Sequence, residues 1–294
     1  MKFLLDFENA EIIGDLNTSV RVCVLVNTFN HEKYIEKCLT SIVEQKTDFQ
    51  FKIIVQDDNS TDGTKNILTE FQKKYPNTVL LILEKENQWQ KGNSNLAMLL
   101  TWIESDFIAL CEGDDYWNSD NKLSYQEGIL ASDPSISISH HSVEIENEVP
   151  DGTYAKRLLE SLDADRSVSP ELKLGLGNFI MTCSVFFRNR VIEKSFLAGI
   201  HSLLPVDWLI FAALAEKGKI HFFNEKMATY RIHANSVWSS ELEDVRRVRN
   251  TQTHWYLAGG LKGEVGAQAR NALTNQITSQ NFLLLRYLRK KLIK

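Results

Sequence analysis

The chain has 294 residues, 43% hydrophobic and 24% charged, with a formal net charge of −5. That balance suits a globular protein with a substantial buried core and excludes a general nucleic-acid binder, whose phosphate contacts need a basic surplus. Asp6, Glu8 and Glu11 interrupt the apolar stretch that a secretory leader requires, no long apolar run follows, and Cys23, Cys38, Cys111 and Cys183 form no C-x-x-C pair, so a cytoplasmic chain with buried thiols is expected.

Strand and helix signals alternate through the first half. Val22 to Val26 is a continuous apolar run of strand length, as in a parallel strand covered on both faces. Ile35, Cys38, Leu39, Ile42 and Val43 follow at the three-and-four spacing of a helix packed on a sheet. Phe51 to Val55 predicts a second strand, Ile67, Leu68 and Phe71 a second helix, and Thr78 to Leu83 a third strand. A helix around Leu96 to Ile103 and a fourth strand at Phe107 to Cys111 complete an α/β pattern with a mostly parallel central sheet flanked by helices. Beyond residue 121 come strand-like pieces at Ile136 to His140 and Ser184 to Phe187, with a polar loop or short helix from Glu144 to Ser169 between them. An apolar helix at Trp208 to Ala215, two strands at Ile220 to Phe223 and Met227 to Ile232, and a helical extension after Ser239 end the chain.

Open α/β sheets bind ligands at the carboxyl ends of their strands, which singles out three loops. They are Asn27-Thr28-Phe29-Asn30, Gln56-Asp57-Asp58-Asn59-Ser60 and Glu112-Gly113-Asp114-Asp115-Tyr116-Trp117. Adjacent carboxylates repel, and burial raises the cost, so each acidic pair implies a cation or hydrogen-bond donor. For Asp57-Asp58 the plain alternative is helix capping, and for Asp114-Asp115 a solvated turn. A hard divalent ion, Mg²⁺ or Mn²⁺, suits Asp114-Asp115 and would share a substrate diphosphate. Neither G-x-G-x-x-G nor G-x-x-x-x-G-K-[ST] is present, so a nucleotide has to be held by other means.

V-N-T-F-N-H-E-K-Y, V-Q-D-D-N-S-T-D-G-T and C-E-G-D-D-Y-W, with Lys122-Leu123 after them, together resemble glycosyltransferase family 2, over Val20 to about Leu130. The resemblance implies an A-type, Rossmann-like catalytic domain over residues 1–239, with a nucleotide-binding half at 1–120 and an acceptor half at 121–239. Residues 240–294 would be the helical C-terminal extension. It also implies that Thr28, Phe29, Asp58 and Asp114 contact a nucleotide-sugar donor, with Phe29 stacking on the base, Asp58 hydrogen-bonded to it and UDP the family's commonest nucleotide. Asp115 is implied as the direct metal ligand. Asn27 and Phe29 stand where the family commonly has proline and tyrosine.

Asp207, in P-V-D-W-L, matches the family's catalytic base and would deprotonate an acceptor hydroxyl during an inverting displacement; as plain chemistry it could equally cap its helix. Tyr230-Arg231-Ile232-His233 resembles a later family element. His233 is then a metal ligand, a diphosphate contact together with Arg231, or a structural strand-end histidine. Lys91, near Asn87, is a phosphate partner or a solvated loop residue, and His140-His141 line the acceptor side or end a half-buried strand. Phe282 to Lys294 mixes apolar and basic side chains, as in a helix on an anionic membrane face or one packed on the domain. The acceptor implied is a saccharide or lipid-linked saccharide at the inner face of the cell membrane. The alternatives from other classes are an inactive nucleotide-binding relative, against which all four aspartates argue, and a nucleotidyltransferase, whose glycine-rich basic loop is missing.

Overall fold

The structure, a computed structural model, describes residues 9–149, 174–200, 202–203, 205–234, 236 and 243–275. A short edge strand, β1 (Ala10–Ile13), precedes β2 (Val22–Thr28) and has too few residues to show a pattern in the sequence. Then β3 (Phe51–Asp57), β4 (Val79–Glu84) and β5 (Phe107–Glu112) alternate with α1 (Ile35–Val43), α2 (Thr64–Lys74) and α3 (Asn95–Trp102). The apolar run in β2 is continuous because both its faces are covered. Val22, Val24 and Val26 pack in one core cluster with Ile35, Leu39 and Leu68 of α1 and α2, while Cys23 and Leu25 pack in the other with Leu96 and Leu99 of α3.

The second half adds β6 (Tyr116–Trp117), α4 (Lys122–Ser132), β7 (Ile136–Asn147), a 3₁₀ turn (Thr182–Ser184), β8 (Phe186–Arg188), α5 (Lys194–Ile200), α6 (Val206–Ala215), β9 (Lys219–Ile232) and α7 (Glu243–Gly260). A further helix, α8, runs over 264–275. The strand order is β1-β4-β3-β2-β5-β8-β7-β9-β6. The sheet is mixed: β4, β3, β2 and β5 are parallel, as are β7 and β9, while β1, β8 and β6 pair antiparallel with their neighbours.

Two expectations change. The polar residues Glu144–Asn147 continue β7, because β9 lies alongside and pairs them as far as Asn147 with Ile232. The two strands expected between Ile220 and Ile232 are one, in which the register moves from His141↔Phe223 to Val143↔Ala228 and so accommodates the polar Asn224, Glu225 and Lys226. Ladder pairing overrides local polarity in β7, whereas in β9 the polar residues sit in the irregularity between two paired stretches. Residues 150–169 of the expected loop and the basic segment Phe282 to Lys294 lie outside the described residues.

The extension is packed rather than appended. Leu257 and Leu261, with Val265 and Ala269 of α8, enter the core cluster that holds α6, where Trp208 meets His254 edge-on at 4.9 Å. Among the described residues no helix is long and apolar enough to cross a membrane. All four cysteines are free and buried.

Candidate active site

The loops after β2 and β3 are stitched together before any ligand is considered. Asn30 (φ 55°) and Asn59 (φ 64°) take left-handed conformations that asparagine tolerates. The Asn30 N–H donates to Ser60 Oγ (2.8 Å), Thr61 N–H to Asn30 Oδ1 (2.7 Å) and Asp58 N–H to the Thr28 carbonyl (2.9 Å). Asp57 is fully buried and accepts from Ser60 N–H (2.9 Å), with Lys65 Nζ at 3.8 Å; burial pushes its carboxyl above the usual range. Of the expected nucleotide contacts, Asp58 is half-buried and already accepts from Gln88 N–H (2.6 Å) and Trp89 N–H (3.1 Å), so it anchors the loop after β4. The Asn87 side chain supports the same loop by donating to the Asp58 carbonyl (3.1 Å). Thr28 is buried at the end of β2, Phe29 is half-buried beside it, and Lys91 is exposed and paired with Glu86 in its own loop.

The acidic turn after β5 is held by close packing. The Gly113 N–H donates to the Asn27 carbonyl (2.8 Å), and a Cβ on Gly113 would lie 2.7 Å from Thr28 Oγ1 and 2.9 Å from His31 Nδ1. Only glycine fits there. The two aspartates then diverge. Asp114 Oδ2 lies 3.0 Å from His233 Nε2 and 3.7 Å from His31 Nε2. Asp115 turns inward, 1% exposed, and its Oδ1 accepts the Arg231 N–H from β9 (2.8 Å). The structure thus brings Asp114 to His233 and leaves Asp115, the expected ligand, facing the interior.

His31, Asp114 and His233 present ligand atoms that all lie within 4.8 Å of one another. Imidazole nitrogen with carboxylate oxygen is a donor set suited to a first-row divalent ion, so these residues fit the metal that the motif implies. Burial pushes the Asp114 carboxyl up, but His31 and His233 outweigh it and hold the group below the usual carboxylate range. Burial pushes His31 down. Asp115 goes the other way, raised by burial and then by the neighbouring Asp114 charge. His31 lay inside the N-H-E-K-Y stretch but carried no signal of its own, since its partners stand in two distant segments.

Arg231 is 4% exposed and faces several groups of the site. Its guanidinium donates to the Asp114 carbonyl, lies 3.4 Å from Glu146 and 3.5 Å from Glu148, and stacks 4.5 Å from the Tyr34 ring. It therefore braces the acidic turn.

Across the end of β5 stands Asp207, in the first turn of α6, where Pro205 at the N-cap position offers no side-chain cap. The Asp207 carboxyl is half-buried, burial pushes it up, and its Oδ2 accepts from Asn178 Nδ2 (2.9 Å). Between the two acidic sites lies Glu112, whose Oε2 is buried without a hydrogen-bond partner. Burial, then the charges of Asp114 and Asp207, push Glu112 up to about 8. Glu112 stood in the acidic motif with no role of its own, and Asn178 carried no signal in the sequence. The site as a whole can hold a cation on one side and accept a proton on the other.

Residues 23–195 match the family model for glycosyl transferase family 2. An uncharacterised protein of Mycobacterium tuberculosis is 31% identical over 256 residues, covering 86% of this chain and 71% of that protein. A putative teichuronic acid biosynthesis glycosyltransferase of Bacillus subtilis, TuaG, is 26% identical over 231 residues, 77% of this chain and 84% of its own. Among solved structures, Staphylococcus aureus TarS in complex with UDP-GlcNAc shares the fold, with a TM-score of 0.60 at 20% identity over 86% of this chain and 70% of that one. With strands, acidic turn and family model in agreement, the chain belongs to glycosyl transferase family 2.

Proposed function

We propose that this chain is an inverting glycosyltransferase that moves a sugar from a nucleoside-diphosphate sugar to an acceptor hydroxyl. The observation that carries this reading is the pair of acidic sites flanking the end of β5: Asp114 between two imidazoles, and Asp207 with a raised carboxyl. Asn178 donates to Asp207 Oδ2 and so orients the carboxylate toward the acceptor hydroxyl. Asp207 takes that proton as the acceptor oxygen attacks the anomeric carbon, and the bond to the diphosphate breaks on the opposite face. Asp114 and His233, with His31 beside them, would hold Mn²⁺ or Mg²⁺, which when bound neutralises charge on the departing diphosphate. Asp115 positions the turn rather than ligating. Phe29, beside the buried Thr28, is the candidate for base stacking, and Asp58 shapes the nucleotide pocket through the loop it anchors. A Lys91 contact with phosphate would require exchange of its Glu86 partner.

TarS was solved with UDP-GlcNAc, which favours a UDP-sugar as the first donor to try. TuaG's assignment to teichuronic acid biosynthesis favours a saccharide or lipid-linked acceptor in cell-surface polysaccharide or glycolipid synthesis. Contact with the inner membrane face through the basic segment Phe282 to Lys294 belongs to the same reading.

The test is calorimetric binding of UDP, GDP and dTDP, each with and without Mn²⁺, to wild type and Asp114→Ala. One diphosphate should bind in a manner that needs both the metal and Asp114. Absence of binding by all three under every condition would overturn the donor reading. Metal-dependent binding without any transfer would favour the inactive relative instead.

A further inference from the structure

The sheet face beneath α6 carries a second feature. Ile108 on β5, Ile138 on β7 and Ile220 on β9 all enter the core cluster of α6, and the register links them through Ile108↔Phe187, Ile138↔Phe187 and Ile138↔Ile220. Side chains two residues further along a strand return to the same face. His140 and Phe222 therefore stand on the α6 face, one step nearer the carboxyl ends of β5 and β7, where they pair across the ladder. The turn after α6 meets the start of β7, where the Lys219 N–H donates to the Ser135 carbonyl (2.8 Å). Ten helical residues rise about 15 Å, which carries Asp207 back over the same end of the sheet.

Here three aromatic rings gather. His140 lies 5.0 Å from Phe222 and 5.6 Å from Phe179, ring centre to ring centre. Phe179 directly follows Asn178, the residue that holds Asp207. Two properties mark this as more than packing. Phe222 is 48% exposed, and His140, though only 6% exposed, has an Nε2 with no hydrogen-bond partner. A buried polar atom left unpaired is costly, and native sites generally explain it. Burial, with His221 adding to it, pushes His140 down to about 3, so the ring is neutral and Nε2 can serve a hydroxyl as donor or acceptor according to tautomer.

We propose that Phe179, His140 and Phe222 form the subsite for a pyranose ring of the acceptor saccharide, with His140 Nε2 hydrogen-bonded to one of its hydroxyls. A pyranose offers C–H bonds to an aromatic wall and hydroxyls at its edge, the combination that an apolar platform with one polar atom recognises. This rests on Asp207 being the base, since the platform matters for transfer only if the acceptor hydroxyl reaches that carboxylate.

The probes are the methyl pyranosides of glucose, galactose, N-acetylglucosamine and rhamnose, observed by saturation-transfer NMR on the full chain with UDP and Mn²⁺ present. At least one should bind wild type and be weakened about tenfold or more by Phe222→Ala, a loss equivalent to a single good contact. His140→Phe, which keeps the ring and removes the nitrogen, should weaken it likewise. UDP affinity, read by calorimetry on the same samples, should match wild type and certifies the fold of each variant. The subsite is overturned if wild type binds UDP but none of the four pyranosides, or if both variants bind the sugar as wild type does. Failure of wild type to bind any nucleoside diphosphate would count against the donor site instead, and the sugar titrations would still report on the platform.

Discussion

Asp114 and Asp115 are neighbours in the chain with opposite surroundings, and the difference is set by single contacts. The Arg231 N–H holds Asp115 inward, and two imidazoles face Asp114. Gly113 makes this arrangement possible, because Thr28 Oγ1 and His31 Nδ1 occupy the space of a Cβ. Gly113→Ala should cost roughly 1–3 kcal/mol in urea denaturation, the range for forced overpacking, and should also weaken Mn²⁺ binding by displacing His31. Asp207→Asn keeps the shape of the side chain and removes the proton acceptor. It should lower kcat by about 10²–10⁴-fold, the usual contribution of a positioned base, with diphosphate affinity unchanged by calorimetry. Loss of both together would instead mark Asp207 as structural.

The elements around the site are each held by a small set of buried groups. Lys122, at the start of α4, is wholly buried, donates to Gln126 Oε1 (2.6 Å) and sits 4.4 Å from the Trp117 ring of β6. Burial pushes its amine down to about 7 from an ordinary 10.5. Below pH 7 both folded and unfolded chains hold the proton; between about 7 and 10.5 only the unfolded chain does. Stability should therefore rise with pH across that window through this group. Denaturation midpoints at several pH values between 6 and 10, compared for wild type and Lys122→Met, should show the rise diminished in the variant. α1 could be read in advance because Ile35, Cys38, Leu39 and Ile42 form one buried stripe. β9 was legible only as two pieces, because its polar middle falls in the register shift between His141↔Phe223 and Val143↔Ala228.

For the molecule as a whole, the C-terminal helices behave as part of the catalytic body. Leu257 is 0% exposed within the cluster that includes α6, so Leu257→Ala should cost roughly 2–5 kcal/mol by urea denaturation, as for other buried leucines. A loss below about 0.5 kcal/mol, the range of ordinary surface substitutions, would mean that α7 is dispensable to the core. The alternation of strands and helices and the acids at the strand ends were legible from the chain, because periodicity and loop chemistry are properties of a few neighbouring residues, whereas Asp207 was singled out only through the family resemblance. The partner of Asp114 was only partly legible. His233 was marked by its motif, His31 and Glu112 lay inside motifs without a role of their own, Asn178 lay outside them, and which of Asp114 and Asp115 meets the two imidazoles was not legible. That choice depends on an N–H contributed by β9, 116 residues away in sequence. Local pattern cannot carry it, since which of two adjacent carboxylates faces outward is set by the donors and rings that distant strands bring to the turn.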